Sequence, residues 1–321
     1  MEIERDSLDQ VIHALYIQLL KRGREHAGSR GSNRELLGVA IRIRNPRARV
    51  SISEDRGRPF SAIGELLWYL SGSDELAFIE PYISAYRDDA VGGILEGAYG
   101  PRFFSMRDGI DQFQNIENLL KQSPGTRRAV IQLFNAEDIA CRHKEIPCTT
   151  TLQFHLREGR LHMSVTMRSN DAYFGLPHDV FCFTMLQEMM ARRIGVDLGE
   201  YYQYVGSMHL YENMLDRAQA YVDEGVQQVR EMPEMPTTNP FLLVGGLLEA
   251  EARIRNGENF SASDAMGEPY WADIVRLIQA FWARNFAPHH GSELDRLSSE
   301  MSSPHYQIYI DGRRHLPSRV R

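Results

Sequence analysis

The run Ile146–Asp179, IPCTTTLQFHLREGRLHMSVTMRSNDAYFGLPHD, carries a fold signal and a chemical one. Leu152, Phe154 and Leu156 alternate with polar neighbours, as do Leu161, Met163, Val165 and Met167. That two-residue period marks strands with one buried face. Arg157-Glu158-Gly159-Arg160 between them reads as a tight hairpin turn. A helix is expected from Val180 to Arg193, closed by Gly195, and a returning strand over Tyr201–Val205. Strands interleaved with a long helix imply an α/β (α+β) fold, a large mixed sheet flanked by helices.

Outward from this centre, Leu8, Val11, Ile12, Leu15, Tyr16 and Leu19 recur at three and four, predicting an amphipathic helix over Leu8–Leu20. The Gly-, Ser- and Arg-rich stretch 26–38 reads as a loop, and Val39–Ile43 as a strand closed by Asn45-Pro46. Ser61–Leu70, Glu75–Tyr86 and Leu210–Val222 read as helices, and Val130–Phe134 as a strand. Met232–Pro240, MPEMPTTNP, reads as a linker before helices over Phe241–Ile254 and Trp271–Asn285 and a short strand at Tyr306–Ile310. The 321 residues are expected to form one domain, 1–321, with 225–321 as a helical C-terminal extension.

Composition narrows the classes. The chain is 43% hydrophobic and 25% charged, which excludes global disorder. A net charge of −7 argues against a protein that coats nucleic acid. The charged N-terminus lacks the apolar core of a signal peptide, and no apolar run is long enough for a membrane span. Three cysteines without a Cys-x-x-Cys pair point to reduced thiols and a cytoplasmic protein. Gly-x-Gly-x-x-Gly, Walker, His-Glu-x-x-His and Gly-x-Ser-x-Gly motifs are absent. No metal is expected, His289-His290 standing apart from any carboxylate at ligand spacing. The basic patches Arg42–Arg49 and Arg313–Arg321 read as solvated surface and tail.

The chemistry gathers between Arg127 and Tyr211. Arginines at strand ends, Arg127, Arg128 and Arg168, with the Ser169 hydroxyl, suggest a phosphate cradle, because guanidinium forks match phosphate oxygens. Positive charge near Cys148 would favour its thiolate. Taken singly, Cys148 reads as a buried structural thiol and Arg127 and Arg128 as ordinary surface pairs.

In this order TRRAVIQLFN, IPCTTTLQF, MRSNDAYFGLPHD and VGSMHLYEN, with upstream GELLWYL and AYGPRF, resemble the thymidylate synthase family. The resemblance runs from about Ser61 to Arg217. It implies that family's fold and a homodimer joined through the sheet. It further implies Cys148 as the nucleophile at C6 of a pyrimidine nucleotide, with Arg168 and Ser169 on the 5′-phosphate and Arg127 and Arg128 reaching in from the partner. Arg30 and Arg34 are both candidates for a further phosphate arginine. His209 and Tyr211 would bind the 3′-hydroxyl. Glu65 and Tyr99 would organise water and proton transfers at C5. Asp171, with Glu65 and Gly175, would hold the co-substrate 5,10-methylenetetrahydrofolate.

Departures from that pattern point to a branch. Asp179 ends Gly175-Leu176-Pro177-His178-Asp179, where the synthases have Asn. A carboxylate can accept from N4–H of cytosine and from a protonated N3, whereas uracil O4 would face it without a donor, an unmatched contact costing ~1–3 kcal/mol. Thr149 follows the nucleophile in place of His, Ser207 follows Gly206 in place of Asp, and no Trp lies between Tyr69 and Tyr270. Each resembles the cytidylate hydroxymethylase branch, most of all the CMP hydroxymethylases of mildiomycin-type antibiotic pathways. That implies water, rather than folate hydride, completing the reaction, with CMP or dCMP as substrate. The long C-terminal extension and the small Ala172 favour CMP. Asp179 also reads as a helix N-cap before Val180. The alternatives are a dCMP hydroxymethylase, a thymidylate synthase acting on dUMP, and a non-catalytic nucleotide- or RNA-binding homologue.

Overall fold

The computed structural model describes residues 1–28, 30–53, 59–286 and 290–317. Seven strands among them form one mixed sheet: β1 (Glu2–Arg5), β2 (Arg24–Gly28), β3 (Gly31–Ile43), β4 (Val130–Gln132), β5 (Thr149–Arg157), β6 (Arg160–Asp171) and β7 (Asp197–Tyr211). Their order is β1-β3-β7-β6-β5-β4, with β2 on β3. The β5–β6 turn places Glu158 and Gly159 at φ 50° and 75°. Two successive positive φ values match a two-residue turn to the right-handed twist of its strands. Strands β6 and β7 are parallel, so a crossover must join them, and the Gly175–Ile194 helix is that crossover. It ends at Gly195, whose left-handed conformation lets its N–H bond back to the last turn.

The β6–β7 register sets Ser169 beside Ser207 and Asp171 beside His209. Strand β3 brings Asn33 opposite Tyr211 on the other side. Three strand ends therefore deliver polar side chains to one place. Leu161, Met163, Val165 and Met167 face the helices and are buried, whereas Thr166 and Arg168 on the opposite face are exposed. That second face also exposes Tyr204 at 47%, and Leu37 of β3 is 72% exposed.

Several expectations are corrected. The stretch read as a loop is the β2–β3 hairpin, its polarity reflecting strands that face solvent and the site rather than a core. Helix does not begin at Leu210: β7 runs to Tyr211, and after a 3-10 turn the helix spans Leu215–Asp223. Glu75–Tyr86 is broken into a short helix, Leu76–Ile79, and a 3-10 turn, Ser84–Asp88. Tyr306–Ile310 is helical, because Tyr306, Tyr309 and Ile310 are buried at i, i+3 and i+4. The Met232–Pro240 stretch is no linker. Met232 and Met235 are buried, and their N–H groups donate to Arg47 O and Glu188 Oε1.

Arg49 departs from the solvated patch expected for Arg42–Arg49. Its side chain is fully buried and paired with equally buried Glu188 of the crossover helix. Arg42 pairs with Glu200 and Glu4. Beyond the Met232–Pro240 strap, the Pro269–Phe286 helix is buried nearly all round and packs on the Phe60–Ser71 helix. Tyr82 links the two regions, donating to Glu251 (2.7 Å) and accepting from Trp282 Nε1 (3.0 Å). Arg255 donates to Ala77 O and Phe78 O. The C-terminal helices thus brace the segment that carries Glu65 and Tyr86. No helix among the described residues is long and apolar enough to cross a membrane.

Candidate active site

Cys148 lies on the turn into β5, where Pro147 fixes the approach and the Cys148 carbonyl accepts from Arg168 N–H (2.9 Å). The Arg168 guanidinium is tied down by Pro147 O (2.9 Å) and Ile146 O (3.1 Å), which holds Nη2 3.7 Å from the Cys148 sulfur. The expected thiolate does not follow. Burial raises the thiol above its ordinary range, Arg168 opposes this, and the Asp179 and Glu145 carboxyls add to the rise. Desolvation of the anion outweighs one partly solvated guanidinium.

Tyr99 is locked to the residue after the nucleophile: its hydroxyl donates to Thr149 Oγ1 and accepts from Thr149 N–H, both at 3.0 Å. Burial, with the neighbouring Cys148 and Asp179, pushes its phenol well above the ordinary range. Glu65, buried on the Phe60–Ser71 helix, accepts from Tyr69 (3.0 Å), Tyr86 (2.7 Å) and His178 Nδ1 (2.9 Å). Burial alone would raise its pKa, but His178 and the two phenols together hold it below the ordinary carboxylate range. His178 Nε2 lies 3.0 Å from Ser61 Oγ.

Asp179 is not an N-cap. The crossover helix starts at Gly175, so Asp179 sits inside it, Pro177 being tolerated in a first turn that lacks intrahelical N–H bonds. The carboxyl accepts through Oδ2 from Asn170 Nδ2. Burial first, then Glu65, pushes its pKa well above the ordinary value, Asn170 working the other way. A Cβ on Gly175 would stand 3.6 Å from both Asp171 Cβ and Asp179 Oδ2, so the three positions adjoin. Asp171 also accepts from Tyr173 N–H (2.8 Å). Burial holds His209 below its ordinary range, with Asp171 opposing, and the His209 and Tyr211 rings meet edge to face at 5.1 Å.

The two loop arginines separate. Arg30 binds Asp89 (2.6 Å) within electrostatic reach of Tyr211 and Cys148. Arg34 instead turns back to Leu20 O (2.8 Å) at the end of the first helix, leaving the cradle. Arg127 and Arg128 are exposed and make no side-chain ion pair among the described residues. Ser169 is half-buried beside Arg168. Ala172 opens no space: it is fully buried, its carbonyl taking a bond from Tyr16.

Sequence reasoning missed Tyr69, Tyr86, Asn170 and His178 as site residues. Tyr69 was findable, lying one turn after Glu65 on the same helix face. His178 was visible as a titratable side chain beside Asp179. No cluster of three or more metal-ligating side chains occurs among the described residues. His289 lies outside them, and His290 is buried.

A sequence model described as "Thymidylate synthase" matches residues 16–240. The deoxyuridylate hydroxymethyltransferase of Bacillus phage SP01 is 32% identical over 228 residues, covering 65% of this chain and 58% of that protein. The thymidylate synthase of Buchnera aphidicola subsp. Baizongia pistaciae (strain Bp) is 32% identical over 168 residues, 50% of this chain and 62% of the relative. The chain thus spans less than two thirds of either relative's length. With most of its residues matched, and with thiol, arginine and carboxyl converging as described, the chain belongs to the thymidylate synthase family.

Proposed function

We propose that the chain adds a one-carbon unit to C5 of a cytidylate, CMP in preference to dCMP, and finishes it with water as 5-hydroxymethylcytidylate. The observation that carries this is Asp179, an acid in the interior of the site and raised in pKa by burial. Cytosine has a basic N3; the carboxyl can place its proton there while its other oxygen accepts from N4–H. That proton draws electron density from the ring as Cys148 adds to C6. A neutral acid has both a donor and an acceptor, so uracil can also be met, with the two oxygens exchanging roles. Asn170 opposes the exchange by donating to Oδ2, which keeps that oxygen an acceptor.

Methylenetetrahydrofolate would supply the one-carbon unit. A cavity of ≈ 230 Å³ beside His178, lined by Phe174, Pro177, Arg49 and Arg217 among others, offers aromatic and cationic groups to part of such an aromatic, anionic co-substrate. Phe174 is 51% exposed there, and Arg49 Nε and Nη1 are buried without a hydrogen-bond partner among the described residues. Asp171 and Gly175 would hold the pterin. Arg168, Ser169 and Arg30 would hold the 5′-phosphate, His209 and Tyr211 the 3′-hydroxyl. Tyr99 would pass on the C5 proton, and Glu65 would orient water. Arg127 and Arg128, which have no ion pair among the described residues, would serve the site of a second copy seated on the exposed sheet face.

The relative named for deoxyuridylate supports a second reading, hydroxymethylation of dUMP. Mass spectrometry of CMP, dCMP and dUMP, each incubated with protein, tetrahydrofolate and formaldehyde, separates the two. A product heavier by one CH2O from CMP is expected. The same gain from dUMP alone would favour the second reading. A gain of one CH2 with dihydrofolate would mean a methylating synthase.

A further inference from the structure

Hydroxymethylation needs a group that takes a proton from water, and Glu65 is poorly suited to it. Its two oxygens accept from three donors, and it is held ionised. A second carboxyl, three residues before the nucleophile, has the opposite setting. Glu145 is half-buried, and its Oε2 is shielded from solvent with no hydrogen-bond partner among the described residues. Its carboxyl lies against the backbone of Gly97: a Cβ there would stand 3.1 Å from the carboxyl carbon and 3.2–3.3 Å from its oxygens. Gly97 does not adopt a positive φ, so a glycine here provides room for the carboxyl rather than a special turn. Gly97 is two residues before Tyr99, and the Glu145 charge is felt at both Cys148 and Tyr86.

We infer that Glu145 is the general base of the hydroxylation step, a conclusion that rests on the hydroxymethyl-transfer reading above. After the tetrahydrofolate leaving group has departed, the base carries an exocyclic methylene at C5, with Cys148 still bonded to C6. Water oxygen bonds to the methylene carbon while its proton passes to the Glu145 carboxylate. The methylene π pair moves into the ring, and expulsion of the Cys148 thiolate then restores the C5–C6 double bond. Burial, with Asp89 reinforcing and Arg30, Gly97 N–H and Arg102 opposing, pushes Glu145 up to about 7, where a carboxyl can both take and return a proton at neutral pH. Glu65, held low by its three donors, and Glu145, raised by burial, thereby take different roles in one site.

The test uses the full chain and its Glu145→Gln variant with CMP carrying a hydrogen isotope at C5. Isotope release reports thiol addition and C5 proton removal, whereas the CH2O-heavier product reports hydroxylation. Release within about threefold of wild type, with hydroxymethyl product down ~100-fold and its pH dependence near 7 flattened, is expected. Glu145→Leu, which removes a buried ionisable group and leaves the fold no charge to bury, is expected to behave the same. Product formed at the wild-type rate, or release and product falling together, would overturn the assignment. Absence of a hydroxymethyl product from the wild type itself would instead remove the reading on which it rests.

Discussion

Asp179 makes the choice of base testable by one atom. Replacing it with Asn removes the transferable proton but keeps the size, so cytosine loses its N3 activation while uracil gains a fixed donor for O4. Relative kcat/KM for CMP over dUMP should fall roughly five- to hundred-fold, from ~1–3 kcal/mol for one mismatched buried contact. Competing the two nucleotides and weighing the products checks this, and an unchanged ratio would mean that Asp179 does not read the base. The nucleophile gives a second prediction, with its sign set by burial. A raised thiol pKa means that the reactive thiolate grows as pH rises towards and beyond the ordinary thiol range. Arg168→Gln removes the opposing charge and should push that limb further alkaline. The alkylation rate of Cys148 in the protein without nucleotide, followed against pH, reads the shift apart from any phosphate contact. An acid-ward shift would count against the Arg168 assignment. Cys148, Arg168 and Asp179 were legible in the sequence because family order places them. The network on Glu65 was not, since Tyr86 and His178 reach it only through tertiary packing.

At the scale of elements, the hairpin, the crossover helix and its Gly195 stop were legible because hydrophobic period and turn chemistry agree there. Strand β2, residues 31–38 of β3 and the Met232–Pro240 strap were not. The polar residues of the β2–β3 hairpin carry no hydrophobic alternation, and those of the strap satisfy partners distant in sequence, which no local pattern encodes. The strap hangs on Glu188, which gives one oxygen to Met235 N–H and the other to Arg49. Truncating it to Ala leaves the Arg49 charge buried and alone, and frees the strap. A loss of ~3–5 kcal/mol is expected, read as a lower thermal midpoint and a lower denaturant midpoint. Double replacement, Arg49→Met with Glu188→Leu, should recover much of the loss, since no charge is then stranded. Additive losses in the pair would mean that Arg49 contributes through something other than Glu188.

For the whole molecule, one sheet face is packed by helices while the other presents Thr166, Arg168 and Tyr204 as exposed side chains. A broad sheet face open to solvent can seat a partner, and a twofold interface uses the same surface twice. If a second copy sits there, Arg127 and Arg128 complete its phosphate cradle, and neither subunit works alone. Two inactive proteins then repair one another. Cys148→Ser supplies intact arginines without a nucleophile; Arg127→Ala/Arg128→Ala supplies a nucleophile without those arginines. Mixed, partly unfolded together and refolded, they should form hybrid dimers with one complete site and one doubly defective site. Activity should appear in the mixture, rise with refolding time and be absent from either protein alone. Tyr204→Lys on both components, placing two like charges on the shared face, should abolish the rescue and shift the protein to monomer in sedimentation. A mixture that stays inactive although hybrid dimers are present would confine the arginines to their own subunit.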